Sequence, residues 1–153
     1  MIPLLKALMV AEVVYLANPA IDALNEGARA IDENNIEKGL TLTQQALDSG
    51  LLGPYSLAKA HNNMCVSYYK LKLYRRAIDY CNLAIAAGTG DWRYFNNRGS
   101  AYWGLGESEK ALADFRAALA LDPSDDRVLR NMKMIVDELA SGRRPAPPAE
   151  RGA

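Results

Sequence analysis

The sequence predicts an all-α protein in which pairs of helices repeat along the chain. Residues 62–68 align with residues 96–102 at an offset of 34 residues, with two asparagines and a tyrosine in common, and further matches at this offset continue through both copies. Each copy carries two apolar stripes with the three-to-four spacing of a helix face, separated by a short turn. Half of the 153 residues are hydrophobic, so the chain can bury a continuous core.

Residues 1–19 form an apolar segment that the sequence leaves open to several interpretations. The run from Leu4 to Ala17 is interrupted by Lys6 and Glu12 and falls short of the roughly 20 residues that a membrane helix needs. It fits a secretory signal peptide and a helix that packs onto the first repeat equally well. The sequence therefore leaves two alternative locations open: export, to a periplasm or by secretion, and the cytoplasm. A third alternative is a subunit that self-assembles or associates with a membrane through residues 1–17.

The first repeat, residues 20–53, is the most degenerate copy. Its Gly27, Leu40, Ala46 and Leu47 align with the next copy at a slightly larger offset, which the loop after it explains. Asn34, with Glu37 three residues later, resembles a capping box and predicts the start of the second helix. Gly39 lies inside that helix, where glycine costs about 1 kcal/mol relative to alanine. We explain it by close contact with the helix that carries Gly27.

The second and third repeats, residues 58–91 and 92–125, align with each other without a gap. In the third repeat, Phe95, Gly99 and Tyr102 lie on one face of the first helix. The second helix carries its own stripe of Ala111, Phe115, Ala118 and Leu119. Gly99 and Ala111 are predicted to face each other across two antiparallel helices, whose axes pack about 8 to 10 Å apart. Small side chains are therefore a packing requirement at these two positions.

A single helix is predicted at residues 126–140, after the third repeat. Its apolar stripe comprises Val128, Leu129, Met132, Val136 and Leu139, and charged residues cover its other faces. Such a helix is typical of a solvating cap. Residues 141–153 are rich in proline and arginine and are predicted to be a disordered tail.

With these residues the chain resembles the tetratricopeptide repeat family. The match is strongest at residues 92–125, where Phe95, Gly99, Tyr102, Ala111, Phe115, Ala118 and Pro123 stand at the family's positions. The resemblance implies a right-handed α-solenoid of three helix-turn-helix repeats plus a C-terminal capping helix, spanning residues 20–140. It also implies a non-catalytic adaptor or scaffold whose first helices line a concave groove for a peptide or protein segment. The identity of the partner and the oligomeric state do not follow from it.

The resemblance also indicates which polar residues would line the groove. They are Lys59, Asn62, Asn63, Tyr69, Lys70, Arg93, Asn96, Asn97, Trp103, Arg127 and Arg130. This basic, amide-rich surface suits an extended peptide with acidic character or a free C-terminus; the alternative is a solvated helix face without a ligand. Family members that clamp the tails of heat-shock chaperones use five positions, and here Leu24, Ala28 and Asn97 occupy three of them. That departure argues against the same clamp.

Composition and motifs argue against other classes of function. Basic and acidic residues number 18 each, which removes the long-range positive field that gathers nucleic acid. No catalytic constellation or cofactor-binding loop is found, so neither an enzyme nor a cofactor is expected. The sharpest alternative is a zinc or copper site made of His61, Cys65 and Cys81. We weigh it against the packing of two free cysteines in the core.

Overall fold

A computed structural model describes residues 18–88 and 90–142 of the chain. This part is all α, and no strand occurs within it. Its helices are α1 (Pro19–Asp32), α2 (Ile36–Asp48), α3 (Pro54–Lys70), α4 (Tyr74–Ala86), α5 (Trp92–Gly104), α6 (Ser108–Leu121) and α7 (Asp126–Ala140). None of them is long and apolar enough to span a membrane. The expectations for residues 1–17 and for the tail from residue 143 onward lie outside the described residues.

The helices form three hairpins and a cap. Helices α1 and α2, α3 and α4, and α5 and α6 pack as pairs, and each second helix also packs on the first helix of the next unit. The first helices contact one another, from α1 through α3 and α5 to α7, whereas no contact joins α2 to α4 or α4 to α6 in the described part. The first helices therefore line the inner, concave side of a solenoid. The predicted α-solenoid of three repeats plus a cap is confirmed.

Small residues sit where the paired helices approach most closely. A Cβ atom at Gly39 would lie 3.2 Å from the carbonyl oxygen of Gly27, and one at Gly99 would lie 3.2 Å from the carbonyl oxygen of Ala111. Both distances are shorter than ordinary carbon contacts. The predicted contact between Gly39 and the helix of Gly27 is present, and so is the predicted contact between Gly99 and Ala111.

The start of α2 differs by one residue from the expectation. Asn35, and not Asn34, is the N-cap, and its Oδ1 accepts a hydrogen bond from the backbone N–H of Lys38 at 3.3 Å. Asn34 instead ends the turn in the left-handed conformation, with φ 62°. Lys72 and Gly106 stand at the corresponding turns of the next two repeats, with φ 61° and 76°. The turn geometry is thus shared, and it moves the cap to the following residue.

The cap helix packs through part of the predicted stripe and through one residue outside it. Val128 and Ile135, two helical turns apart, are fully buried against the cluster that contains Phe115. Of the predicted stripe, Leu129, Val136 and Leu139 remain 43 to 46% exposed. The face centred on Val128 and Ile135 meets α5 and α6, so the three exposed residues lie on the flank of the helix.

Candidate functional site

The eleven predicted groove residues lie on the three first helices that follow α1. Helix α3 carries Lys59, Asn62, Asn63, Tyr69 and Lys70; α5 carries Arg93, Asn96, Asn97 and Trp103; and α7 carries Arg127 and Arg130. We call the inner face of α1, α3, α5 and α7 the concave surface. Its amides are brought together across neighbouring helices, whereas two of its arginines are held by partners at the start of their own helix.

The amide side chains form a regular ladder across the concave surface. Asn97 Nδ2 donates to Asn62 Oδ1 at 2.8 Å, and Asn131 Nδ2 donates to Asn96 Oδ1 at 3.0 Å. Asn63 Nδ2 makes the corresponding bond to the carbonyl oxygen of Leu24 on α1, at a long 3.5 Å. Each bond joins an asparagine to the residue one position earlier in the preceding repeat. The ladder therefore fixes the first helices relative to one another.

One member of this ladder, Asn131, was not among the predicted groove residues. It follows Asn97 by the same offset that separates Asn97 from Asn63, and Asn25 stands at the equivalent position of the first repeat. An asparagine thus occupies the same position in all four first helices of the described part. Extending the repeat offset into the cap helix would have identified Asn131 as a residue of this surface.

Two of the predicted groove arginines are already paired. The guanidinium of Arg93 contacts both carboxylate oxygens of Asp91, the N-cap of α5, at 2.6 to 3.0 Å. Burial alone would raise the pKa of Asp91, but the hydrogen bonds from Arg93 and the charge of Lys59 hold it below its ordinary value. Arg127 pairs with Asp125, the N-cap of α7, in the same way at 2.9 Å. These two cations are neutralised locally.

The remaining cations are more available to a ligand. Lys59 Nζ lies 5.5 Å from the centre of the Tyr55 ring, at the edge of a cation–π contact. Lys70 and Arg130 are exposed, and neither takes part in an ion pair of the described residues. Of the predicted groove cations, Lys59, Lys70 and Arg130 are therefore the ones that the described ion pairs leave available.

The two predicted aromatic residues, Tyr69 and Trp103, are each held by a neighbouring side chain. Trp103 Nε1 donates to Glu138 Oε2 at 3.0 Å, which ties α5 to the cap helix. The ring of Tyr69 lies 5.8 Å from that of Tyr74, and burial raises the pKa of its hydroxyl. Both side chains are partly exposed. They offer fixed apolar area beside the amide ladder.

A second polar network lies away from the concave surface. Arg98 donates to both carboxylate oxygens of Asp114 at 2.7 and 2.8 Å and to Asn82 Oδ1 at 2.7 Å. Asp114 is only 5% exposed. Bidentate pairing satisfies the buried carboxylate and joins α5 to α6 and α4. This network is structural.

The structure contradicts the metal alternative. Cys65 on α3 and Cys81 on α4 form a disulfide with their Cα atoms 5.3 Å apart, so neither thiolate is available as a ligand beside His61. No group of three or more candidate ligands occurs in the described ranges. The cysteines are buried in the core as expected, but the expectation that they are free was wrong. A separation of 16 residues matches no short cysteine motif, which is why the sequence did not reveal the bond.

Comparisons with known proteins agree with this architecture. Residues 92–125 match the family model for the tetratricopeptide repeat. Human RNA polymerase II-associated protein 3 is 30% identical over 79 residues, which cover 52% of this chain but only 12% of that protein. The chain therefore spans a small part of this curated relative.

Two solved structures show the same fold. The first TPR domain of human RPAP3 superposes with a TM-score of 0.72 at 24% identity, covering 80% of this chain and 94% of that one. The first TPR of Spaghetti (RPAP3), bound to the HSP90 peptide SRMEEVD, superposes with a TM-score of 0.71 at 23% identity, covering 80% and 96%. At these identities the likeness establishes the helical arrangement.

Proposed function

We propose that this chain, which is a tetratricopeptide-repeat protein, is a non-catalytic interaction module that binds an extended segment of a partner protein on its concave surface. The observation that carries the proposal is the alignment of amide side chains on successive first helices. Asn62 and Asn96 stand at equivalent positions of α3 and α5, as do Asn63 and Asn97, and their amides can both donate to and accept from a peptide backbone.

The charge of the concave surface favours an acidic segment. Lys70 on α3 and Arg130 on α7 are exposed cations, and Lys59 on α3 lies beside the Tyr55 ring. Cations at such positions can pair with acidic side chains or with a free C-terminal carboxylate. The RPAP3 relative holds a peptide with two glutamates and a terminal aspartate, which supports an acidic ligand class for this chain as well.

The recognition would differ in detail from that of chaperone-tail clamps. Leu24 is buried at 2% exposure, and Asn97 is engaged in the amide ladder. Neither supplies a cation at a clamp position. We therefore expect SRMEEVD to bind this chain no more tightly than other acidic peptides of the same length.

Fluorescence anisotropy with a library of labelled acidic peptides would test the proposal. Binding should weaken as salt increases, because the contacts are between exposed charges. Lys70→Glu and Arg130→Glu should each weaken binding by about tenfold, which corresponds to about 1.4 kcal/mol. Neither residue joins the described ion pairs, so their reversal should leave the fold intact.

Arg116→Glu is the matched control, since Arg116 is an exposed arginine on the second helix α6. It should leave the affinity unchanged. Absence of binding at low salt would rule out an acidic ligand. An equal loss of affinity in the control would show that binding depends on overall charge and would remove the concave surface as the site.

A further inference from the structure

The three repeats place different pairs of residues at the same contact between their two helices. The corresponding positions are occupied by Gly27 and Thr43 in the first repeat, Cys65 and Cys81 in the second, and Gly99 and Phe115 in the third. A Cβ atom at Gly27 would lie 2.9 Å from Thr43 Oγ1, and one at Gly99 would lie 2.8 Å from Phe115 Cε1. In these two repeats a glycine makes room for the opposite side chain.

The second repeat replaces this contact by a covalent bond. Cys65 and Cys81 are both fully buried and form a cluster with Ala77 and Ala101, with no large aromatic side chain at its centre. The ring that fills the third repeat, Phe115, has no equivalent here. The disulfide therefore holds α3 and α4 together where side-chain volume does so in the third repeat.

We propose that Cys65 and Cys81 are an oxidative modification site, and that this chain matures in an oxidising compartment where a disulfide donor completes its second repeat. The donor is a disulfide-bonded oxidoreductase or oxidised glutathione. One cysteine thiolate attacks the donor disulfide and displaces a donor sulfur, giving a mixed disulfide. The thiolate of the second cysteine then attacks the first and releases the remaining donor sulfur.

The exchange is balanced. A new bond joins the two Sγ atoms, two electrons pass to the donor, and the donor leaves as two thiols with the two protons of the cysteines. No metal or further oxidant is needed.

Burial sets the order of events. Exchange requires access of a thiolate to the donor, and both cysteines are fully enclosed once α3 and α4 have packed. Oxidation must therefore accompany folding, before the second repeat closes. The same enclosure protects the finished bond from external thiols, which distinguishes it from an exposed regulatory disulfide.

A buried disulfide also bears on the location of the protein. Disulfides persist in the periplasm, in the secretory pathway and outside cells, whereas cytosolic thiol systems keep cysteines reduced. Of the two locations that the sequence leaves open, the disulfide favours export. A signal peptide within residues 1–19, which lie mostly outside the described residues, would provide the route.

Alkylation of the full chain, taken from cells that produce it naturally, tests the inference directly. Cells are treated with acid to stop exchange, the chain is denatured, and an alkylating reagent is added before the intact mass is measured. We expect no alkylated cysteine and a mass two hydrogens below that of the dithiol. Recovery of both cysteines as alkylated thiols would overturn the inference.

Purified protein provides the second measurement. Reductant alone should leave the bond intact, and reductant with denaturant should open it. After refolding without an oxidant, the thermal midpoint should fall by about 10 °C, as expected for a loop of this length. Cys65→Ser with Cys81→Ser should show the same loss.

Cys65→Gly with Cys81→Phe installs the pair of the third repeat and serves as the matched variant. Its midpoint should exceed that of the serine variant and should not respond to reductant. A serine variant as stable as the oxidised protein would show that the bond does not hold the repeat together, and the inference would fail.

Discussion

Replacing Gly99 by alanine tests whether the close helix contact in the third repeat determines stability. The added Cβ atom would lie 2.8 Å from Cε1 and 3.0 Å from Cδ1 of Phe115. The ring is fully buried and cannot move into solvent. Alanine gains about 1 kcal/mol as a helix former, whereas overpacking a core costs about 1 to 3 kcal/mol. We expect a net loss of about 1 kcal/mol and a thermal midpoint about 4 °C lower.

Phe115→Leu provides the second arm of the test. On its own it should cost about 1 to 2 kcal/mol, because it removes buried ring atoms. It also removes Cε1, the ring atom that the alanine at position 99 would approach most closely, but the carbonyl oxygen of Ala111, 3.2 Å from the added Cβ, stays in place. In this background Gly99→Ala should cost less than in the natural protein, because only part of the overpacking remains to offset the gain in helix propensity.

The size of the effect of Gly99→Ala should therefore depend on the residue at position 115. Thermal and urea denaturation of the four proteins gives the coupling energy of the Gly99 and Phe115 pair. If Gly99→Ala raises the midpoint in the natural background, the contact does not limit packing. If its effect is the same in both backgrounds, the two positions are independent, and the packing explanation for the repeated glycine is wrong.

Three further substitutions have defined outcomes. Lys72→Gly should raise the free energy of unfolding in urea by up to about 1 kcal/mol, because Lys72 holds the left-handed conformation that Gly106 adopts in the next repeat; a loss would contradict this. Burial lowers the pKa of His61 below its ordinary value of 6.5. As the pH falls, the unfolded chain therefore takes up a proton at His61 before the folded protein does, and the free energy of unfolding decreases. His61→Phe, which installs the residue type of Phe95, should make the thermal midpoint less dependent on pH between about pH 7.5 and 5.5. If the midpoint of the natural protein depends on pH no more than that of the variant, His61 does not couple stability to pH. Arg98→Ala should cost about 3 kcal/mol in urea denaturation, since it leaves a buried carboxylate unpaired, and a loss below about 0.5 kcal/mol would show that the ion pair is dispensable.

The repeat architecture could be predicted because the close contacts leave a periodic record in the sequence. Gly39 and Gly99 stand where backbones must nearly touch, and few side chains are tolerated there. The start of α2 was displaced by one residue because Asn34 and Asn35 are both good caps, and only the turn geometry distinguishes them. The fold could therefore be predicted from residues that packing requires, whereas the N-cap of α2 depends on the backbone conformation of a single residue.

The site was predicted less completely than the fold. The positions of the groove residues followed from the repeat, but whether a cation is available depends on its neighbours in space. Arg93 and Arg127 each fold back onto the aspartate two residues before them, a pairing that requires that aspartate to be the N-cap. The disulfide of Cys65 and Cys81 likewise depends on which faces of α3 and α4 meet.

The row of first helices has a mechanical consequence. Helices α1, α3, α5 and α7 touch in sequence, whereas α2, α4 and α6 do not touch one another in the described part of the chain. Neighbouring hairpins are joined along this inner edge and by the packing of each second helix on the next first helix, whereas the second helices do not meet one another. A change of curvature would break no contact between second helices, but it would shift each second helix on the next first helix and stretch the amide ladder, so we expect a ligand to change the radius of the superhelix only slightly while each hairpin stays rigid.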